Sequence, residues 1–219
     1  MLVRQDKRAL ILKLKHPTRV TIPIPTAKLV THNGQTLVAV PHRPDEVKVL
    51  RNLGFNPPDP MTYYYKWPGR FKPFAAQIET ANFLSMNERA FCLNSMGLGK
   101  TVTSLWAFDY MRDAKLINKA LVICPLSTME RTWADEIFKT FPHLDATVVY
   151  GSRERRKKLL AQPSDIYIIN TDGIRTIQDE LAKRPDINLI IVDEIAMFRN
   201  ASTERWKILN SICNKQTHR

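Results

Sequence analysis

The residues best placed to do chemistry are Met96-Gly97-Leu98-Gly99-Lys100-Thr101. They stand between an apolar run, Ala90-Phe91-Cys92-Leu93, and a helix-like stretch from Val102 to Met111. Strand, glycine loop and helix form the geometry of a phosphate cradle. Gly97 and Gly99 leave room for backbone N–H groups to converge on an anion. The helix that follows adds its own unpaired N–H groups and the positive end of its dipole. Lys100 can reach the outer phosphates of a nucleotide, and the Thr101 hydroxyl can be set on Mg²⁺. Asn94 stands where the fuller phosphate-loop pattern has its first glycine. Alone, the six residues also fit a glycine-rich turn after a strand. A second constellation decides between these readings. Asp193-Glu194 follows the apolar run Leu189-Ile-Ile-Val192. An acid at the end of a buried strand can hold Mg²⁺, and a neighbouring Glu can polarise an attacking water. Two such elements in one chain point to a nucleoside triphosphatase, with Asp193, Glu194 and Lys100 as catalytic residues. Gln77, upstream of the loop, has an amide that can pair bidentately with an adenine edge.

The elements that must position these residues alternate from Phe71 onward. The spacing predicts helix 74–86, strand 90–95, helix 100–113, strand 120–124, helix 127–139 and strand 146–150. Helix 152–161, strand 165–170, helix 174–183, strand 187–192 and helix 202–213 follow. Ile166-Tyr-Ile-Ile169 and Leu189–Val192 are almost wholly apolar, as strands buried on both faces must be. Repeated strand–helix units predict an α/β fold with a parallel sheet and helices on both faces, its ligands at the carboxyl ends of the strands. Before it, residues 8–15, Arg19 to Ile24 and Thr36 to Val40 read as strands, and Asp45 to Leu53 as a helix. His32-Asn33-Gly34-Gln35 reads as a turn. The expected organisation is a small, basic, β-rich α+β appendage over 1–55, a Pro/aromatic linker over 56–70 and the nucleotide-binding lobe over 71–219. Tyr63, Tyr64, Tyr65 and Trp67 in the linker either stack on a base or pin the segment to the next domain, the latter being preferred.

Of 219 residues, 44% are hydrophobic, enough for a sizeable core. The net charge of +12 is uneven. Residues 1–72 carry 13 basic against 4 acidic residues, and the remainder 20 against 17. A basic first third suits a polyanionic partner, foremost nucleic acid, or simply a solvated basic face. The dense run Arg153, Arg155, Arg156, Lys157 and Lys158 has the same two readings. Cys92, Cys124 and Cys213 are far apart and have no zinc-like spacing, so they read as reduced cysteines of a cytosolic or nuclear protein. No run reaches transmembrane length and Met1 opens no signal-peptide pattern, so no membrane partner is expected.

Together these segments resemble the first RecA-like lobe of a superfamily-two helicase, in particular of the Swi/Snf-like ATPases. Phe71-Lys-Pro-Phe74 with Gln77 resembles the adenine-reading Q motif, and Met96–Thr101 resembles motif I. Pro125-Leu-Ser-Thr-Met-Glu-Arg-Thr-Trp133 resembles motif Ia and is the most family-specific stretch. Val148-Val-Tyr-Gly-Ser-Arg153 and Ile168-Ile-Asn-Thr171 resemble the strand and segment that follow it. Asp193-Glu-Ile-Ala196 resembles motif II, with Ile195 and Ala196 replacing Ala and His. The resemblance implies ATP and Mg²⁺ as cofactors. Gln77, Gly97, Leu98, Gly99, Lys100 and Thr101 would hold the nucleotide, and Thr101 and Asp193 the metal. It implies double-stranded DNA as partner, touched by Ser127, Thr128, Asn170 and Thr171. It also implies a second RecA-like lobe with arginine fingers in a longer chain, and little hydrolysis from this part alone. The compact spacing of the motifs suggests a bacterial or viral source and a cytoplasmic location, or a nuclear one if the source is eukaryotic. Alternatives are a non-catalytic nucleic-acid-binding fragment with a vestigial nucleotide site, or a different phosphate-loop enzyme such as a small-molecule kinase.

Overall fold

The computed structural model describes residues 1–215, and the chain divides into two units, Met1–Lys66 and from Trp67 onward. In the first unit, strands β1 (Leu2–Arg4), β2 (Ala9–Leu12), β3 (Lys28–His32) and β4 (Gln35–Pro41) form an antiparallel sheet in the order β1-β2-β4-β3. Helices α1 (Thr18–Thr21), α2 (Pro44–Asn52) and α3 (Pro60–Tyr64) complete it. The sheet buries Leu10, Leu12, Val38 and Val40 together with Val47 and Leu50 of α2. Asn33 and Gly34, both with positive φ, make the tight β3–β4 turn that sets the register His32 opposite Gln35.

Three expectations change here. The run Arg19 to Ile24 is not a strand. Its first half is the helical turn α1, opened by Pro17, and Ile22 and Ile24 continue the turn by donating to the Thr18 and Val20 carbonyls. A strand was missed at β3, whose five residues are all exposed and so show no alternation. The segment expected to be a linker is built into the unit. Met61 is fully buried, and the His42 ring accepts at Nδ1 from the Tyr64 hydroxyl (2.8 Å) while Nε2 donates to the Pro58 carbonyl (2.8 Å). Tyr63 and Tyr64 pack edge-on or tilted against His42, so these two aromatics serve packing within the unit.

The second unit is a RecA-like α/β layer structure. Helices α4 (Ala75–Met86) and α5 (Lys100–Asp113) precede strand β5 (Lys119–Cys124). Then come α6 (Asp135–Thr140), β6 (Ala146–Val149), α7 (Arg153–Ala161), β7 (Ile166–Asn170), α8 (Gln178–Leu181), β8 (Ile187–Val192) and α9 (Glu204–Lys215). Among the described residues the sheet has four parallel strands in the order β6-β7-β5-β8. Both alternating sets of side chains are buried. Leu121, Ile123, Tyr167 and Ile169 join a core with residues of α7, α8 and α9. The opposite set, Ala120, Val122, Ile166 and Ile168, is equally shielded.

The run 90–95 forms no strand. Phe91 is 70% and Leu93 86% exposed, because a strand needs a neighbour for its N–H and C=O groups and no described strand lies beside this one. The predicted helix over 127–139 is also irregular. It starts as a 3₁₀ turn at Leu126–Thr128, widens to a π-helical turn over Met129–Ala134 and becomes α-helical only at α6.

Candidate nucleotide and nucleic-acid site

The glycine loop is held by helices instead of a strand. Gly97 (φ +80°) and Gly99 (φ +68°) both adopt the left-handed conformation that glycine tolerates. Gly99 caps α5, and its carbonyl accepts from the Thr103 N–H (3.0 Å) and hydroxyl (2.9 Å). Lys100 and Thr101 therefore open the first turn of a 14-residue helix, where backbone N–H groups lack partners. Asn94 ties the start of the loop to α4 by donating to Thr80 Oγ1 (2.9 Å). The Lys100 ammonium donates to the carbonyls of Asn94 (3.0 Å) and Ser95 (3.3 Å). No described carboxylate neutralises it, so its charge is available to an anion.

Gln77 has a structural job that its sequence position did not reveal. It is 8% exposed, its Oε1 accepts from the Phe74 N–H (2.9 Å), and its Nε2 donates to the Leu98 carbonyl (3.1 Å). The amide thus caps α4 and braces the loop from beneath, with one N–H and one lone pair left over. A Cβ on Gly99 would lie 2.6 Å from Gln77 Nε2. A side chain at position 99 would therefore have to displace the Gln77 amide from the floor of the cradle.

The second cluster lies at the carboxyl ends of the strands, where α/β sheets bind ligands. Cys124 ends β5 and leads to Ser127 and Thr128. Asn170 ends β7 and leads to Thr171, while Val192 ends β8 and leads to Asp193 and Glu194. The Asp193 N–H donates to the Ile123 carbonyl (2.8 Å), which extends the β5–β8 ladder by one residue and fixes its backbone. Its Oδ2 accepts from Trp133 Nε1 at 3.1 Å. Glu194 is exposed and sits at φ 57°, ψ 55°, an uncommon conformation for a non-glycine residue and one that clusters at active sites. Burial pushes the Cys124 thiol up to about 11, opposed by a hydrogen bond from Thr128 and reinforced by the Asp193 carboxylate.

Of the four residues expected to touch DNA, Ser127 is exposed and Thr128 half-buried. Thr128 also donates to the Pro125 carbonyl at 3.0 Å. Asn170 is half-buried and Thr171 buried. Asn170 Oδ1 accepts from Arg156 Nη2 (3.0 Å). Thr171 is 3% exposed, and its hydroxyl donates to the Cys124 carbonyl (3.4 Å) with Met197 Sδ beside it (3.7 Å). Arg156 was read as part of a surface basic run but is 6% exposed. It donates to the carbonyls of Val149 (2.7 Å) and Gly151 (2.9 Å). Lys157 pairs with Glu180 at 3.0 Å. The run is therefore in part an internal fastening between β6, α7 and β7. The sequence reading also missed Trp133 as a partner of Asp193. The signal was present, since a tryptophan at a buried helix position needs an acceptor for its indole N–H.

This arrangement, a glycine loop at a helix start and an acid pair at a strand end in a RecA-like lobe, has known counterparts. The SNF2-related domain matches residues 76–218, and the chain belongs to that family. Among its relatives, the ATP-dependent helicase fft3 of Schizosaccharomyces pombe is 31% identical over 127 residues, covering 54% of this chain and 14% of that protein. The ATP-dependent helicase FUN30 of Saccharomyces cerevisiae is 30% identical over 144 residues, covering 62% and 13%. The chain thus spans about one seventh of these relatives' length. The Sulfolobus solfataricus SWI2/SNF2 ATPase core, solved in complex with dsDNA, superposes with a TM-score of 0.54 at 24% identity, covering 68% of this chain and 32% of that one. That likeness shows the fold. The two helicase relatives are eukaryotic, and among the described residues no helix is long and apolar enough to cross a membrane.

Proposed function

We propose that this chain is the ATP-binding lobe of a DNA-dependent ATPase of the helicase and translocase type, which couples ATP hydrolysis to movement on double-stranded DNA. The observation that carries the reading is the pairing of two sites within one SNF2-related lobe. One is the loop braced by Gln77, with Lys100 opening α5, and the other is Asp193-Glu194 closing β8.

The residues fit a nucleotide. Gly97, Leu98 and Gly99 present backbone around an anion, and Lys100 exchanges the Asn94 and Ser95 carbonyls for the β- and γ-phosphates. Thr101 and Asp193 would hold Mg²⁺, which when bound offsets the charge of the phosphate oxygens. Asp193 keeps its second oxygen for this, because only Oδ2 is engaged by Trp133. Glu194, held outward by its left-handed backbone, orients the attacking water and accepts its proton. Gln77 reads the adenine edge with its spare N–H and lone pair while bracing the loop. Ser127 and Thr128 offer hydroxyls and early-turn N–H groups to DNA phosphates. Asn170 and Thr171 act one layer below, shaping that rim. A second lobe, which the greater length of the relatives supports, would supply the cations opposite the loop; such arginine fingers contribute roughly 10³–10⁵ in rate. A bacterial or viral source rests on compact motif spacing alone, and a cytoplasmic or nuclear location on the free cysteines.

The test is nucleotide binding and ATP turnover by this chain, with and without duplex DNA. Lys100→Ala is expected to abolish nucleotide binding, and Glu194→Gln to keep binding while removing any turnover. Unchanged affinity in Lys100→Ala would refute the site. Salt-sensitive duplex binding with no nucleotide affinity would favour the non-catalytic alternative, which the basic first 72 residues also suit.

A further inference from the structure

We propose that Trp133 is a positioning residue that links the segment facing DNA to the metal-binding carboxylate. Its indole N–H holds one oxygen of Asp193 so that the other is aimed at the metal. This rests on the reading of Asp193 given above.

Three observations carry it. First, Trp133 is 2% exposed, and its Nε1 donates to Asp193 Oδ2 at 3.1 Å across 60 residues of sequence. A buried indole N–H must be satisfied, and a single donor on a carboxylate fixes the rotation of that carboxylate. Second, the donor is neutral. A lysine or arginine in the same place would cancel the charge a cation needs, whereas an indole orients Asp193 and leaves the charge intact. Third, Trp133 sits on the π-helical turn Met129–Ala134, which follows Ser127 and Thr128 directly. Wide turns of this kind are frequent at functional sites. Thr128 is tied back to the residue after β5 by its hydroxyl and N–H, which both donate to the Pro125 carbonyl (3.0 and 3.1 Å). A phosphate engaging Ser127 and Thr128 therefore pulls on the same short segment that carries the donor. Nucleic acid and metal would thus communicate through one hydrogen bond, with no large motion required.

The experiment compares wild type with Trp133→Phe, which keeps an aromatic ring and deletes the N–H. Affinity for a fluorescent ADP analogue is measured as Mg²⁺ is titrated. The variant should need roughly tenfold more Mg²⁺, the effect of losing one hydrogen bond to a charged group, with unchanged affinity in EDTA. A Mg²⁺ requirement within twofold of wild type would overturn the proposal. Wild-type protein supplies an independent measurement that does not depend on the variant folding. The Trp133 indole ¹H–¹⁵N resonance should shift on adding Mg·ADP and on adding a DNA duplex, but not with ADP in EDTA. An indole signal indifferent to Mg·ADP, while nucleotide demonstrably binds, would equally overturn it. Lys100→Ala separates the two levels of the argument. If that variant binds ADP as wild type does, the nucleotide-site reading fails. If it does not bind and Trp133→Phe is normal, only the linkage fails.

Discussion

Two glycines in one loop give a controlled test of what braces the cradle. Gly97 and Gly99 both have positive φ, so alanine at either must adopt a left-handed backbone, which costs about 1–2 kcal/mol. They differ in their surroundings. A Cβ on Gly97 meets nothing within 4 Å, whereas one on Gly99 lies 2.6 Å from Gln77 Nε2 and 3.2 Å from Val102 Cγ1. Gly99→Ala must therefore also push the Gln77 amide off the Leu98 carbonyl, losing a partly buried hydrogen bond worth about 1 kcal/mol. Gly97→Ala is expected to lower stability by about 1–2 kcal/mol and Gly99→Ala by about 2–3 kcal/mol. In a Gln77→Ala background the contribution of the strut disappears and only the 3.2 Å contact with Val102 remains, so the gap between the two alanines should shrink by about 1 kcal/mol. Urea unfolding followed by tryptophan fluorescence measures these values, and thermal melts should follow at about 2–4 °C per kcal/mol. Equal losses for the two glycines in the wild-type background would refute the assignment of Gln77 as the strut. So would a difference that removal of Gln77 leaves undiminished.

Two further perturbations follow from buried polar groups. Arg156→Met leaves the carbonyls of Val149 and Gly151 and the Asn170 side chain without their donor. At about 1–3 kcal/mol for a buried polar group left unsatisfied, a loss of about 3–5 kcal/mol in urea unfolding is expected, and a loss below about 1 kcal/mol would show that Arg156 is not the fastening described. In the first unit, burial holds His42 below its ordinary pKa, so the unfolded chain binds a proton more readily than the folded one. Its contribution is therefore fully present above about pH 6.5 and declines as pH falls toward the lowered folded value. Melting temperature of residues 1–66 should fall through this window in wild type and more weakly in His42→Gln; parallel curves would refute the assignment.

Much of the second unit was legible because its signals are long and regular. Helix α5 and strands β5, β7 and β8 combine apolar runs with clear breaks, and β5 and β7 are buried on both faces, so composition and period agree. The failures are physical. Residues 90–95 have the composition of a strand, but strand formation depends on a neighbour that local sequence does not encode. Arg19 to Ile24 is rich in β-branched residues, yet Pro17 starts a helical turn that buries Val20 and lets Arg19 donate to the Leu53 carbonyl. β3 is exposed throughout and shows no alternation at all. In the site, the glycine loop and acid pair were readable because contiguous residues carry them. The bonds that orient them were not: Trp133 with Asp193, Arg156 with Asn170 and Gln77 with Leu98 join residues 60, 14 and 21 positions apart. Motif Ia drew attention to Ser127 and Thr128 but gave no sign that the same segment reaches back to the acid.

The outward, left-handed placement of Glu194 bears on how mutations in such a gene would behave. Its carboxylate makes no hydrogen bond or ion pair among the described residues, so folding does not depend on it. Losing it would leave an abundant protein that still occupies its ligands without turning them over. On the function proposed above, such an allele would compete with a normal copy for the same nucleotide and DNA. Losing Arg156 would instead deplete the protein, and a normal copy would mask the defect. Dominance and recessiveness would then map onto the outer rim and the inner fastenings of one short stretch of fold.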